Sequence, residues 1–184
     1  MHLIELGDDE RRDDSVALLC ANTYGQQAGL APLLAYTGAL TQWLPRDQAR
    51  VLALVDAEER ILCVALLVLE EGGKGAELKW LTTPEPLRGR GYARALVSRL
   101  TKRMRLKVVA TEAHERWLRD VGFKRWSWRD SGERIGFTRG TREYSATLMV
   151  DEDRIMQQFK TDRALFERLS ARFVKGLERF AGAK

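Results

Sequence analysis

Four consecutive residues, Arg88, Gly89, Arg90 and Gly91, have the types and spacing to hold an anion. They follow an apolar run at residues 78–81 and a turn bracketed by Pro84 and Pro86, and they lead into Ala93, Leu96, Val97 and Leu100 at helical spacing. That order predicts strand, tight loop, helix. The first N–H groups of a helix have no intrahelical partner and point outward at the positive end of its dipole. Glycines let the backbone approach a guest there, and two guanidinium groups add formal charge, so a pyrophosphate is the natural occupant. The same residues would also make an ordinary turn carrying two surface arginines.

Other reactive side chains are sparse. His2 and His114 are the only histidines in the chain, and they form no metal-ligand pattern. Cys20 and Cys63 fall within apolar stretches without CxxC spacing, which predicts reduced core thiols rather than a disulfide or a metal site. Gly89, Gly91 and Ala95, with Glu112 about 20 residues on, also fit a loosened dinucleotide fingerprint. Five residues separate the strand from Gly89, however, and the pattern comes midway along the chain after a hairpin, which argues against that reading.

The loop, with Arg88, Gly91 and Ala93 in the key places, resembles the acetyl-CoA loop of the GNAT superfamily of N-acetyltransferases. Downstream, Trp117-Leu118-Arg119-Asp120-Val121-Gly122-Phe123 resembles the same family's Phe-Tyr-Glu-Lys-Leu-Gly-Phe motif. Between them these landmarks span residues 78–123. The resemblance implies an α/β (α+β) fold with a mixed, mainly antiparallel sheet flanked by helices, acetyl-CoA as co-substrate and no metal. It implies cofactor contacts at Arg88, Gly89, Arg90, Gly91, Tyr92 and Ala93, and backbone pairing of the pantetheine arm with Leu81 and Thr83. It also implies direct attack of an amine on the thioester, with a proton source for the departing thiolate.

The pattern breaks where that proton source belongs, because the family's tyrosine position holds Leu118. His114 lies four residues earlier on the same helical face and is the substitute candidate, since a histidine can protonate a thiolate near neutral pH. Its other role would be a hydrogen bond at the helix start. Tyr92 and Tyr144 are weaker candidates, needed for a helix start and a strand. For the amine's proton, Glu77 stands on the strand where some family members place a glutamate base; so near a turn, it could also be fully solvated.

The elements that position these groups follow from periodicity and turn chemistry. Residues 3–6 read as a strand, the acidic stretch after it as a solvated loop, and a helix capped near Asp13 or Asp14 runs to Gly25. A second helix at residues 30–44 stops at Pro45; these two flank the acceptor site in the family, which makes Tyr24, Gln26, Gln27, Tyr36 and Trp43 acceptor or core residues. Residues 50–56, 60–70 and 77–83 form a meander, residues 106–110 a buried strand parallel to its last member, and residues 112–121 a helix after Thr111 and before Gly122. A closing hairpin pairs residues 123–129 with 142–150 across a long loop at 130–141. From residue 151, Ile155, Phe159, Phe166, Leu169, Phe173, Leu177 and Phe180 define one long amphipathic helix. The expected organisation is a catalytic domain at 1–150 and a helical extension at 151–184, which packs back, pairs with a second subunit or meets a partner.

Charge sharpens the choice of partner. Residues 1–85 carry net −7 and residues 86–142 carry net +11, within an overall +5. Part of the central excess suits the phosphates of coenzyme A, and the surplus leaves open a nucleic-acid-linked acceptor beside a small amine. No apolar run is long enough to span a bilayer and no signal-peptide pattern opens the chain, which predicts a cytoplasmic protein without a membrane partner. The competing functional class is a catalytically silent GNAT fold that binds nucleic acid or protein through its basic segment, consistent with the missing tyrosine.

Overall fold

Alternating Val, Leu and Ala along residues 49–69 give strands buried on both faces. In the computed structural model, which describes residues 1–25, 27–72, 74–141 and 148–181, these are β2 (Ala49–Val55) and β3 (Ile61–Leu69), paired antiparallel. β1 (His2–Glu5) extends the sheet beside β2, and β4 (Ala76–Thr82) lies on the far side of β3. β5 (Leu106–Ala110) runs parallel to β4, and the hairpin of β6 (Phe123–Trp128) and β7 (Arg134–Thr138) completes the order β1-β2-β3-β4-β5-β7-β6. The other pairs are antiparallel. A parallel pair needs a crossover, and α3 (Tyr92–Thr101) supplies it.

Because side chains alternate across a strand, the sheet carries two cores. Val51, Ala53, Val64, Leu66 and Trp80 face α1 (Glu10–Tyr24) and α2 (Ala31–Gly38). Leu52, Leu54, Leu67, Leu78 and Leu106 face α3 and α4 (Glu112–Asp120). Among the described residues no helix is long and apolar enough to cross a membrane.

The acidic stretch after β1 is not all loop. Asp9 caps α1 by accepting from the backbone N–H of Arg12 at 3.0 Å, so Asp13 and Asp14 lie inside the helix and are buried. They accept ion pairs from Arg172 and Arg179 of the C-terminal helix, partners that local sequence could not reveal. The second helix does not end at Pro45: α2 continues through a π-type turn, Ala39–Trp43, into a 3-10 turn, Leu44–Arg46, whose first positions tolerate proline.

Two larger differences concern the C-terminal half. The expected long loop at 130–141 contains β7, joined to β6 by a tight turn in which Arg129 donates to the Glu133 carbonyl and Gly132 has φ +84°. Gly136 in β7 reads as a loop residue, yet a Cβ there would stand 2.7 Å from the Trp126 ring; the indole lies over the glycine on the neighbouring strand. The strand expected at 142–150 falls outside the described residues for 142–147, and residues 148–150 are not strand.

The amphipathic run after residue 151 is two helices, α5 (Glu152–Thr161) and the long α6 (Arg163–Ala181), broken at Asp162. The Asp162 carboxylate accepts from the N–H of Leu165 and starts the second helix. Both pack on the α1–α2 side of the sheet: Ile155 and Leu169 are buried, and Phe159, Phe166, Phe173 and Leu177 close over the core. Gly176 lets α6 lie against Asp14 and Ala17 of α1, where a Cβ would come within 3.0 Å.

Candidate functional site

The sheet opens between its two parallel strands. β4 and β5 pair only at Ala76 with Leu106, Glu77 with Lys107 and Leu78 with Val108. Beyond that, β4 follows β3 to Thr82 while β5 follows β7 to Ala110. The register of β4 against β3 slips at Lys79, between the Leu67–Leu78 and Leu66–Trp80 pairs, and such a bulge bends the strand that contains it. Leu81 and Thr83, both half-buried, therefore stand along a gap with backbone polar groups that β5 does not take up. Both parallel strands lead at this same end into helices, α3 and α4, and the carboxyl ends of parallel strands are where open α/β sheets place ligands.

The glycine loop closes one side of that gap. Pro84 to Leu87 turn the chain through a short 3-10 segment, and Gly89 and Gly91 follow at φ +77° and +79°. A Cβ on either would meet nothing within 4 Å, so the conformation demands glycine while the space above the loop stays open. Gly91 occupies the N-cap of α3 without a side-chain cap, which leaves the helix's first N–H groups for a guest. Tyr92 and Ala93 begin the helix, half-buried.

The two arginines of the loop point to different places. Arg88 donates to the Thr83 carbonyl at 3.3 Å and to Oδ1 of Asn22 at 3.0 Å, and the Asn22 amide donates to Oγ1 of Thr82 at 2.7 Å. Asn22 thus joins α1, the end of β4 and the glycine loop. The sequence carried no signal for this residue. Arg90 and Tyr92 instead line a cavity of about 640 Å³ shared with Leu87, Arg11, Ile61 and Phe180.

His114 is exposed near the start of α4, its Nδ1 3.2 Å from Oγ1 of Thr111. Leu118 is buried in the core against α3 and the sheet. Glu77 is not the solvated turn residue it could have been: it is 3% exposed, with its carboxylate 3.2 Å from Nζ of Lys107 and 3.5 Å from Nζ of Lys79. Lys107, a lysine inside the apolar run LKVVA, was the available sign that a buried acid awaited it. Cys63 donates to the Thr82 carbonyl at 3.1 Å, and burial pushes its thiol up to about 11; burial also raises the Cys20 thiol.

No protein-family model matches the chain, and no curated protein sequence matches it. Solved structures do. Tetrahymena GCN5 superposes with a TM-score of 0.56 at 9% identity, covering 78% of this chain and 100% of its own. Aminoglycoside 6'-acetyltransferase type Ii gives 0.54 at 17% identity with the same coverage, 78% and 100%. A GNAT-family acetyltransferase from Staphylococcus aureus Mu50 gives 0.52 at 9% identity, covering 74% and 97%. The chain has the GNAT fold.

On the side of this GNAT fold formed by α1 and α2, the expected acceptor residues separate. Tyr36 is buried and packs against Phe173 of α6 with ring centroids 5.3 Å apart, so it is a core residue rather than an acceptor contact. Gln27 is exposed, and Gln26 and Tyr144 lie outside the described residues. Tyr24 and Trp43 come together around Trp80, at centroid distances of 6.5 Å and 5.5 Å. Both line a cleft of about 390 Å³ whose other walls are Lys79 and residues 148–153. Burial and, to a lesser degree, Cys20 and Glu152 raise the Tyr24 phenol above its usual range.

Proposed function

We propose that the protein is an acyl-CoA-dependent N-acyltransferase, with acetyl-CoA as the donor. The observation that carries this reading is the parting of β4 from β5 beside a glycine loop at the N-terminus of α3. In this reading the pantetheine arm pairs with the freed backbone of Leu81 and Thr83, where it displaces the Arg88 side chain from the Thr83 carbonyl. The pyrophosphate then sits on the N–H groups of Gly91, Tyr92 and Ala93 with Gly89 beneath it, and Arg88 and Arg90 supply positive charge at the mouth.

The transfer is a direct one. The acceptor amine attacks the thioester carbonyl, the C–N bond forms as the C–S bond breaks, and the thiolate leaves with a proton supplied from outside the pair. Neither cysteine offers a ready thiolate for a covalent acyl-enzyme, since both are buried with raised thiols. Leu118 cannot donate a proton, so His114, oriented by Thr111, takes that role. Glu77 takes the amine's proton through water. Residues 151–184 act as an extension that completes the acceptor side. The protein works in the cytoplasm.

Isothermal titration with acetyl-CoA tests the reading: micromolar binding, lost in the Arg88→Ala/Gly91→Asp double variant, is the expected result. A second reading, a silent GNAT fold that binds nucleic acid through residues 86–142, is favoured by the buried Leu118 alone. Absence of heat at millimolar acetyl-CoA, together with salt-dependent binding to RNA or DNA, would replace the first reading with the second.

A further inference from the structure

The two ends of the sheet carry different charges. The gap between β4 and β5 opens at the carboxyl ends of these parallel strands, with Arg88 and Arg90 in the loop beside it. At the amino ends, three turns converge on Arg105, the residue before β5. Its carbonyl accepts from the Ala76 N–H at 3.0 Å, and a Cβ on Gly75 would stand 3.7 Å from its own Cβ. A Cβ on Gly140 would stand 3.7 Å from its Nε. The turn between β3 and β4, the turn between α3 and β5 and the end of β7 therefore meet, which brings Lys74, Lys102, Arg103 and Arg139 to the same end as Arg105.

These five cations are exposed, and among the described residues none has an ion pair or a side-chain hydrogen bond. Elsewhere the fold meets its cations with acids, Arg172 with Asp13, Arg179 with Asp14 and Arg134 with Glu115. The acids at this end are Glu70 and Glu71 of the β3–β4 turn and Asp120, which is taken by Arg94. Crowded like charges repel, so the folded chain by itself loses stability to the cluster. Helix capping accounts for a neighbour but not for these five. Thr101 donates to the Val121 carbonyl at 2.6 Å, which brings the end of α4 alongside, and Lys124 caps that end by donating to the Arg119 carbonyl at 2.7 Å. Lys74 and Arg139 stand on strand turns, where no helix dipole calls for a cation.

The partner that suits such a surface is a polyanion. Among the described residues no aromatic ring is exposed at this end: Phe123, Trp126 and Phe137 are buried, and the exposed Trp128 lies at the opposite end of β6. Single strands are held by stacking their bases on such rings, whereas the outside of a duplex presents phosphates alone.

We propose that the end of the sheet carrying Lys74, Lys102, Arg103, Arg105 and Arg139 docks on the phosphate backbone of a nucleic-acid duplex without reading its sequence. The surface lies opposite the β4–β5 gap, so the proposal rests on neither reading of the function, and a duplex and acetyl-CoA bind at the same time.

Fluorescence anisotropy with a labelled DNA duplex of about 20 base pairs tests this across a salt series, since each phosphate contact contributes about 0.9 to the slope of log affinity against log salt. Lys102→Gln/Arg103→Gln/Arg105→Gln/Arg139→Gln is expected to lower that slope by about 3 and to weaken binding at least about 30-fold in low salt. Lys74→Glu/Arg139→Glu, which touches no helix, is the second variant and should weaken binding in the same direction. Arg154→Gln/Lys160→Gln/Arg163→Gln/Arg168→Gln removes the same formal charge as the first variant, from the C-terminal helices, and should stay within about threefold of the parent. Saturating coenzyme A should leave the affinity unchanged, an RNA duplex of the same sequence should bind equally well, and a single strand should bind about tenfold more weakly. The proposal is overturned by absence of duplex binding, by equal losses in the two fourfold variants, by displacement of the duplex with coenzyme A, or by a single strand that binds as tightly. Polyglutamate bound as tightly as the duplex would also overturn it and give the surface to an acidic protein.

Discussion

Leu118 is buried in the core that also holds Leu96, Leu100 and Phe123, where the GNAT resemblance would put a phenol, so in the proposed transfer the proton for the thiolate comes from another group. His114 is one turn away and its ring is already oriented by Thr111. Replacing His114 with Ala is expected to lower kcat about 100-fold with unchanged acetyl-CoA affinity, measured by steady-state turnover beside calorimetry. An unchanged kcat would assign the proton to water. A second residue-scale effect concerns Asn22, which holds Arg88 to α1 and Thr82. Asn22→Ala should weaken acetyl-CoA binding about fivefold, the equivalent of one hydrogen bond to a charged donor, with little change in kcat. Asn22→Asp, which keeps the acceptor for Arg88, should recover most of the loss.

At the scale of elements, the cleft lined by Tyr24, Trp43 and Lys79 depends on how the entry to α5 is seated. Val150 rests on Gly38 of α2 so closely that a Cβ at Gly38 would lie 2.3 Å from one valine methyl. Gln42 then clamps the next residue, accepting from the Asp151 N–H at 2.8 Å and donating to its carbonyl at 3.2 Å. Gly38→Ala is expected to cost about 1–3 kcal/mol in urea unfolding by overpacking, and Val150→Ala in the same chain should return most of it. The β4–β5 gap is anchored separately, by Glu77 and Lys107, so acetyl-CoA affinity in the single variant should stay as in the parent.

The molecule as a whole spends much of its charge internally. The acids of α1 meet the arginines of α6, and Glu115 of α4 accepts from Arg134 of β7 and from Arg119 at 2.7 Å, which ties α4 to the strand between β5 and β6. Glu115, Arg119 and Arg134 all belong to residues 86–142, so these pairs leave the net +11 of that segment as it is; Lys107, paired with Glu77 of β4, is a positive charge met by an acid from outside the segment. The Arg134 and Arg119 guanidinium groups hold the Glu115 carboxyl below its ordinary 4.5. A carboxyl lowered in the folded state contributes stability that is complete above its unfolded value and disappears as pH falls through its folded value. The thermal midpoint should therefore drop as the medium is acidified below about pH 4.5, and Glu115→Gln should lower the midpoint near neutrality while flattening that acid limb. A parallel acid limb in the variant would place the acid sensitivity elsewhere, with Asp13 and Asp14 the next carboxylates to substitute.

What the sequence determined by itself is local. The glycine loop, the helix behind it and the β2–β3–β4 meander follow from glycine's access to positive φ, from 3.6-residue spacing and from alternation, and all of these act over a few residues. Tertiary structure decided the rest, because the deciding partner lay far away along the chain. Asp13 and Asp14 looked like helix caps until Arg172 and Arg179 arrived from α6; Gly136 looked like a loop residue until Trp126 covered it. Sequence left Glu77 open between a base and a solvated turn residue until Lys107 met it in the buried sheet, and no local pattern names Asn22, whose contacts exist only where α1, β4 and the loop converge. The cleft of Tyr24, Trp43, Lys79, Glu152 and Asp153 is the extreme case, since four separate elements must pack before its charge and shape exist at all.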